Sequence, residues 1–420
     1  MLTLDDWLQH WLTLNDREIM LGLGRVATVW RALGAPAPAP RVITVAGTNG
    51  KGSTVAYIEA MLRAAGYRVG RYSSPHLKHY QERIAIDGRS VDASALVAAF
   101  RQIEAVRAGI ALTYFEAGTL AALLVFAGSA LDVAVLEVGL GGRLDAVNLI
   151  DADVAVITTI DLDHQALLGA SREAIAVEKA GILRRGRVAV IGDREPPSSL
   201  LAALSGVAAR ALLVGRDFDW SAPGTVGDWD YQGPGGALRL PAPKMLAAAQ
   251  RGNAACAITA VRALAPDVCV ADSALVEAVA DTALPGRLQR VAEAPEIVLD
   301  VAHNPQAAGE LAAWLALDDK PTDAVFGALA DKEIEAIVAR FGQRIEVWHL
   351  CGLEQLSPRG LTAEALGRRL SALTPELRLE LAASPALALA RARQRAGPDR
   401  RILGFGSFYL VAALQEALLV

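Results

Sequence analysis

Cysteine is scarce in this chain: three occur in 420 residues, Cys256, Cys269 and Cys351. Their spacing fits neither a disulfide framework nor a metal cage, so small buried thiols in a reducing compartment are expected. A reactive-cysteine or Ser-His-Asp signature is also missing, which leaves no obvious protein nucleophile. Positive charge is not in excess: 41 Lys and Arg against 46 Asp and Glu give a formal net charge of −5, with no basic run. That balance argues against a nucleic-acid surface. No apolar run is long enough to span a membrane. The most apolar window, Thr119 to Val138, is broken by Gly128 and Asp132 and reads as a buried helix followed by a buried strand. The first residues, Met-Leu-Thr-Leu-Asp-Asp, carry no signal-peptide pattern, and a cytoplasmic protein without membrane contact is expected. Internal repeats and low-complexity segments do not stand out. What the chain does have is apolar content, 53% of its residues, and a length beyond what one hydrophobic core supports. Two α/β domains are expected, residues 1–284 and 285–420.

The organising stretch runs from Arg41 to Thr54, Arg-Val-Ile-Thr-Val-Ala-Gly-Thr-Asn-Gly-Lys-Gly-Ser-Thr. Val42 to Val45 reads as a buried parallel strand, and a helical pattern begins at Thr54. Strand, Gly-rich turn and helix together make a phosphate cradle: backbone amides converge on the anion, and Lys51 adds a point charge. The spacing departs from the common P-loop, because Gly47 lies three residues before Gly50 and Gly52 follows Lys51. It reads as a variant P-loop whose hydroxyl, on Ser53 or Thr54, need not hold the metal.

Along the rest of the chain, residues 4–34 look helical around a loop near Asn15-Asp16, and 35–40 (Ala-Pro-Ala-Pro-Ala-Pro) form a stiff connector. Strands are expected at 68–72, 83–86, 132–138 and 153–159, with helices at 92–107 and 117–127. The last two strands are near-continuous β-branched runs, as in a mostly parallel sheet covered on both faces. Residues 215–241 suggest a small antiparallel excursion, followed by helices near 253–264 and 272–281. Leu284-Pro-Gly-Arg287 marks the boundary. Beyond it, strands at 296–301, 323–327, 345–350 and 401–405 alternate with helices at 307–316, 333–341, 362–371 and 384–396, a second α/β layer structure.

Ligands of open α/β sheets sit at the C-terminal ends of the strands, which is where the polar loops fall. Glu137 ends a buried strand beside Gly139-Leu-Gly-Gly142 and is placed to hold Mg²⁺ against phosphates. His164, in Asp161-Leu-Asp-His164 after the next strand, is a metal ligand or a phosphate contact. Ser74 lies in a Ser-Pro loop, a common turn former in its own right. Lys179, taken alone, is an ordinary solvated helical lysine. Asp300 and His303 end the first strand of the second domain, positions suited to closing onto a nucleotide.

Taken together, Gly47-Thr-Asn-Gly-Lys-Gly-Ser53, Tyr72-Ser-Ser-Pro-His-Leu77, Thr113-Tyr-Phe-Glu116, Leu136-Glu-Val-Gly-Leu-Gly-Gly-Arg-Leu-Asp-Ala146, Glu178-Lys-Ala-Gly-Ile182, Leu284-Pro-Gly-Arg287 and Asp300-Val-Ala-His-Asn-Pro305 occur in this order. In that conjunction the chain resembles the bacterial bifunctional dihydrofolate synthase/folylpolyglutamate synthase family, relatives of the Mur peptidoglycan ligases. The resemblance implies an N-terminal P-loop ATPase domain and a smaller C-terminal Rossmann-like domain, with the active site in the cleft. It implies that Thr48, Asn49, Gly50 and Lys51, with Gly52 and Ser53 of the same loop, hold the ATP phosphates. Ser74, Glu137 and His164 would ligate magnesium, two ions being expected and K⁺ standing as a further candidate. Asn253, Arg287 and Asp300 would contact ATP, with His303 beside them, and Lys179 matches a lysine that is carbamylated in the family. The pterin-bearing substrate would meet Thr13, Leu14, Asn15 and Asp16, Thr113, Tyr114, Phe115 and Glu116, and Leu144, Asp145 and Ala146. The chain departs from the family at Gly327-Ala-Leu-Ala-Asp-Lys332, where a histidine usually precedes Asp-Lys.

The implied activity is ATP-driven amide formation: a monomeric ligase adds L-glutamate to dihydropteroate and to reduced folates through an acyl phosphate. The alternatives are a Mur-type ligase acting on a UDP-sugar peptide and a non-catalytic ATP-dependent scaffold. Gly52 after Lys51 and the Thr113–Glu116 stretch argue against the first. A metal set accompanying two ATP-facing domains argues against the second.

Overall fold

The computed structural model describes residues 2–15, 20–222 and 227–419. Asp16, one of the expected substrate contacts, lies outside them. The chain folds as two compact units, residues 1–244 with 250–282, and residues 245–249 with 283–420.

In the first unit, eight of the strands among the described residues are β1 (Arg41–Ala46), β2 (Val69–Tyr72), β3 (Ile84–Ile86), β4 (Arg89–Ser90), β5 (Val133–Glu137), β6 (Val154–Ile157), β7 (Val188–Ile191) and β8 (Arg210–Leu213). They form one sheet in the order β4-β3-β2-β5-β1-β6-β7-β8. Pairing is parallel from β2 to β8 and antiparallel at β2–β3 and β3–β4. All residues of β5 and β6 are buried, which is why they read as unbroken apolar runs. β1 lies between β5 and β6, with Val45 in register with both Glu137 and Val156. The C-terminal ends of β1, β5 and β6 therefore sit side by side, with neighbouring strands about 4.8 Å apart.

The helices covering this sheet follow from local chemistry. Tyr114–Ala127 is apolar all round because it is buried, and Thr113 and Glu116 close its N-terminus as a capping box. The helix begins three residues before the 117 expected, since that box supplies the start signal. Lys51–Ala64 likewise begins three residues earlier than expected, because Gly50 in the left-handed region turns the chain directly into it. β9 (Asp219–Ser221), β10 (Trp229–Gln232) and β11 (Leu238–Leu240) form a small antiparallel sheet, as the composition of 215–241 suggests.

The second unit is a six-stranded sheet of β12 (Gln289–Glu293), β13 (Glu296–Asp300), β14 (Thr322–Phe326), β15 (Ile345–Cys351), β16 (Leu379–Ala382) and β17 (Arg401–Phe405). Its order is β12-β13-β17-β14-β15-β16, antiparallel only at β12–β13. Phe326, Phe341, Trp348 and Phe405 interlock at its centre. No helix among the described residues is long and apolar enough to cross a membrane.

Candidate active site

The turn after β1 is held by the turn after β6. Thr48 N donates to Thr159 O at 2.7 Å, and Thr158 Oγ1 donates to Asn49 O at 2.5 Å. Thr48 Oγ1 takes a bond from Asp161 N and gives one to Asp161 O, each at 3.0 Å. Two glycines are obligatory here. A Cβ on Gly47 (φ +155°) would run into Thr158, and one on Gly50 (φ +84°) would run into the Asn253 amide. The first amide of the following helix with an intrahelical acceptor is Thr54 N, bonded to Gly50 O at 2.9 Å. The amides of Lys51, Gly52 and Ser53 therefore project from the helix end, where positive potential gathers. Lys51 Nζ curls back to Gly47 O (2.9 Å) and Thr48 O (3.1 Å), which places its charge over the loop. Ser53 and Thr54 are both buried, and Thr54 Oγ1 has no hydrogen-bond partner. Asn253 is brought to this loop by the helix Ala249–Arg262, its amide donating to Gln250 Oε1 at 3.1 Å.

Glu137, buried at the end of β5, accepts a bond from Ser74 N at 3.3 Å, so two of the three expected metal ligands are adjacent. His164 adopts a left-handed backbone (φ 49°, ψ 39°) at the start of the short helix Gln165–Leu168. That conformation costs a non-glycine residue about 1–2 kcal/mol, and such outliers gather at functional sites. Its neighbour Asp163 acts electrostatically on Lys179, which in turn senses Lys51 and Asp145. Lys179 is buried at the end of the helix Arg172–Ala180. Burial, and then the Lys51 charge, pull its pKa down to about 7 against the opposing pull of Asp163 and Asp145. It is no solvated lysine. Asp145 is buried too, and desolvation lifts its pKa to about 6 although Leu140 N and Val147 N donate to it.

The stretches expected to meet substrate share one neighbourhood. Asn15 Nδ2 donates to Ala111 O at 3.1 Å, next to Thr113. Gly22 N donates to Leu144 O at 3.2 Å. Arg25 pairs with Glu116 at 2.8 Å while donating to Met20 O at 2.9 Å. Glu116 thus already serves the helix cap and the Arg25 pair. Tyr114 stands edge-on to Tyr80, with the Arg83 guanidinium over both rings, and Phe115 tilts against Tyr72. Thr13 bonds within its own helix, to Gln9 O at 3.0 Å, and Leu14 packs against the core. Ala146 is buried beside Asp145.

Residues 45–217 match the Mur ligase middle domain, and 286–408 match the Mur ligase glutamate ligase domain. The chain is 43% identical to the dihydrofolate synthase/folylpolyglutamate synthase of Escherichia coli (strain K12), over 99% of this chain and 95% of that one. The chain belongs to the dihydrofolate synthase/folylpolyglutamate synthase family. The solved structure of E. coli FolC in complex with DHPP and ADP matches with a TM-score of 0.93 at 41% identity, covering 99% of this chain and 98% of that one. A bifunctional folylpolyglutamate synthase/dihydrofolate synthase with Mn, AMPPNP and L-glutamate bound matches at 0.90 and 40%, covering 100% and 99%. The protein is accordingly an ATP-dependent ligase with the Mur ligase fold.

In the second unit of this synthase-family chain, Arg287, Asp300 and His303 form one cluster where β13 ends. Asp300 accepts from Leu288 N (2.8 Å) and Ala302 N (2.7 Å). Burial raises its pKa, while the Arg287 charge and those two amides act the other way. Arg287 lies over the Phe408 ring, and the His303 ring tilts against the same residue. Several residues of the first-unit site escape a sequence reading. Thr158 and Thr159 position the phosphate loop through hydroxyl and carbonyl groups whose partners are over 100 residues away, and no local motif marks them. Asp163 had a signal, since it immediately precedes His164.

Proposed function

We propose that this ligase joins L-glutamate to 7,8-dihydropteroate, forming dihydrofolate, and adds further glutamates to reduced folates, acting as a cytoplasmic monomer. The observation that carries the reading is the Thr48 bridge, which ties the phosphate loop, one strand over from Glu137, to the Asp161–His164 loop on its other side. The donor set fits a hard divalent ion. Ser74, Glu137 and His164 offer a hydroxyl, a carboxylate and an imidazole. No three His, Cys, Asp or Glu side chains among the described residues converge as a metal cage. A site of this kind leaves coordination positions to phosphate oxygens and water, which suits Mg²⁺, and the reading includes two such ions. When bound, the metal supplies charge neutralisation at the transferring phosphoryl group.

Substrate carboxylate oxygen attacks the γ-phosphorus of ATP, and the bond to the β-bridging oxygen breaks, releasing ADP. The glutamate amine then attacks the acyl carbon, the carbon–oxygen bond to phosphate breaks, and the amine gives up a proton as the amide forms. The protein's part is positioning and electrostatics. The loop Thr48 to Ser53, through the amides of Lys51, Gly52 and Ser53 at the helix end and the Lys51 ammonium, holds the phosphates, and Asn253, Arg287, Asp300 and His303 hold the rest of ATP. The pterin end of the substrate meets Thr13 to Asp16, Thr113 to Glu116 and Leu144 to Ala146. Lys179, half neutral near pH 7, adds its amine to CO₂ and loses a proton to become a carbamate, an anion beside Lys51.

The experiment is an ADP-release assay run separately with dihydropteroate and with a tetrahydrofolate monoglutamate. ADP is expected to form only when L-glutamate is present, with either acceptor. Release that is indifferent to glutamate would contradict the reading.

A further inference from the structure

The loop that carries His164 is gripped from a side that the chemistry above does not use. Asp193, at the exit of β7, accepts Ile160 N on Oδ2 at 2.8 Å and Glu195 N on Oδ1 at 2.9 Å. Arg172 Nη2 donates to both Asp193 oxygens, at 3.2 and 3.1 Å, and to Glu195 O at 2.9 Å. Arg172 Nε donates to Ile160 O at 2.8 Å. The pair thus takes both backbone groups of Ile160, while Thr48 takes both backbone groups of Asp161. Two consecutive residues are fixed from opposite sides, just ahead of the strained His164.

Arg172 is also the first residue of the helix whose last turn carries the buried Lys179. A cation at a helix N-terminus opposes the macrodipole, so local helix chemistry does not favour arginine there. The far end of the helix is tied to the loop after β5, where Arg143 N donates to Glu178 O at 2.7 Å. One ion pair therefore joins the backbone of the His164 loop to the first residue of the helix that carries Lys179. We propose that Arg172 and Asp193 are a positioning pair that aligns His164 and Lys179 on the metal nucleotide. The inference rests on the ligase reading and adds two residues to it.

The test compares Arg172→Ala, Arg172→Lys and Asp193→Asn with wild type. Arg187→Ala is the control, because it breaks an ion pair with Asp153 (2.9 Å) at the opposite ends of the same two strands. Binding of Mn²⁺ with AMPPNP is followed by electron paramagnetic resonance, and the Lys179 carbamate by ¹³C NMR with labelled CO₂. Thermal midpoints are recorded alongside. Arg172→Ala and Asp193→Asn are expected to weaken Mn²⁺ binding about 10–100-fold, as loss of groups that orient metal ligands does, and to lose the carbamate signal. Arg172→Lys is expected to fail as a rescue, since an ammonium cannot reproduce the guanidinium fork. Arg187→Ala should match wild type.

Folded variants whose midpoint falls while Mn²⁺ binding and the carbamate persist would overturn the inference, leaving a purely structural pair. Should Arg172→Ala not fold, Arg172→Lys and Asp193→Asn decide by the same criteria. If wild type itself binds no Mn²⁺ in the presence of AMPPNP, the ligase reading falls, and the inference with it.

Discussion

Lys51→Ala is expected to cut glutamate-dependent ADP formation about a thousandfold or more, the scale for removing a principal electrostatic group from a transferring phosphoryl. Its thermal midpoint should stay close to wild type. The reason lies in how the side chain is used. In the free protein, Nζ is bonded to the carbonyls of Gly47 and Thr48, on the rim of the loop. Those contacts place the charge but do not hold the loop, which is fixed independently by Thr48, Thr158 and Asp161. Alanine therefore removes the cation and leaves the cradle. The check is single-turnover ADP formation with saturating folate and glutamate, next to a melting curve. Turnover near the wild-type rate would refute the role given to the phosphate loop.

The second large effect concerns Lys179. Its folded pKa is lowered to about 7 from a reference of 10.5, chiefly by burial. The sign follows. As pH rises through about 7 the amine becomes neutral and can add CO₂, and as pH falls below it the ammonium cannot. Activity is therefore expected to climb with pH across that range, to drop in CO₂-depleted buffer, and to return on adding bicarbonate at fixed pH. Lys179→Ala should lower kcat about 100-fold or more, as loss of a charged group beside the transferring phosphoryl does, and should abolish the bicarbonate response. A wild-type rate that ignores CO₂ while Lys179→Ala remains fully active would remove this residue from the mechanism.

Sequence pattern carried most of the architecture because the central strands are buried on both faces. β5 and β6 could be read directly from Val133–Leu136 and Val154–Ile157. The strands with no counterpart in the sequence reading are mostly edges: β4, β8, β12 and β16 each end a sheet. An edge strand is half solvated, and Arg-Ala-Leu-Leu at 210–213 gives little alternation to detect, whereas β16 does alternate, as Leu377-Arg-Leu-Glu-Leu381, but over a short run. β7 is the exception, an interior strand whose Val-Ala-Val-Ile run carries the full signal of a buried strand.

The site was legible in a different way. Lys51, Glu137 and His164 announce themselves by following strands, which is a local property. Lys179 does not: by local pattern it is a helical lysine, its expected role comes from the resemblance at Glu178–Ile182, and burial together with the charges of Lys51, Asp163 and Asp145 sets its pKa. Arg172 and Asp193 are equally silent, because their meaning depends on the backbone of Ile160. For Glu116 the structure adds a role the motif did not suggest, the helix cap and the Arg25 pair.

The most direct measurement is a crystal structure with AMPPNP and Mn²⁺, using anomalous scattering to locate the metal. The account predicts a peak bonded to Glu137, Ser74 and His164, with the nucleotide phosphates against the amides of Lys51, Gly52 and Ser53. A metal bound elsewhere, or phosphates lying away from that turn, would contradict it.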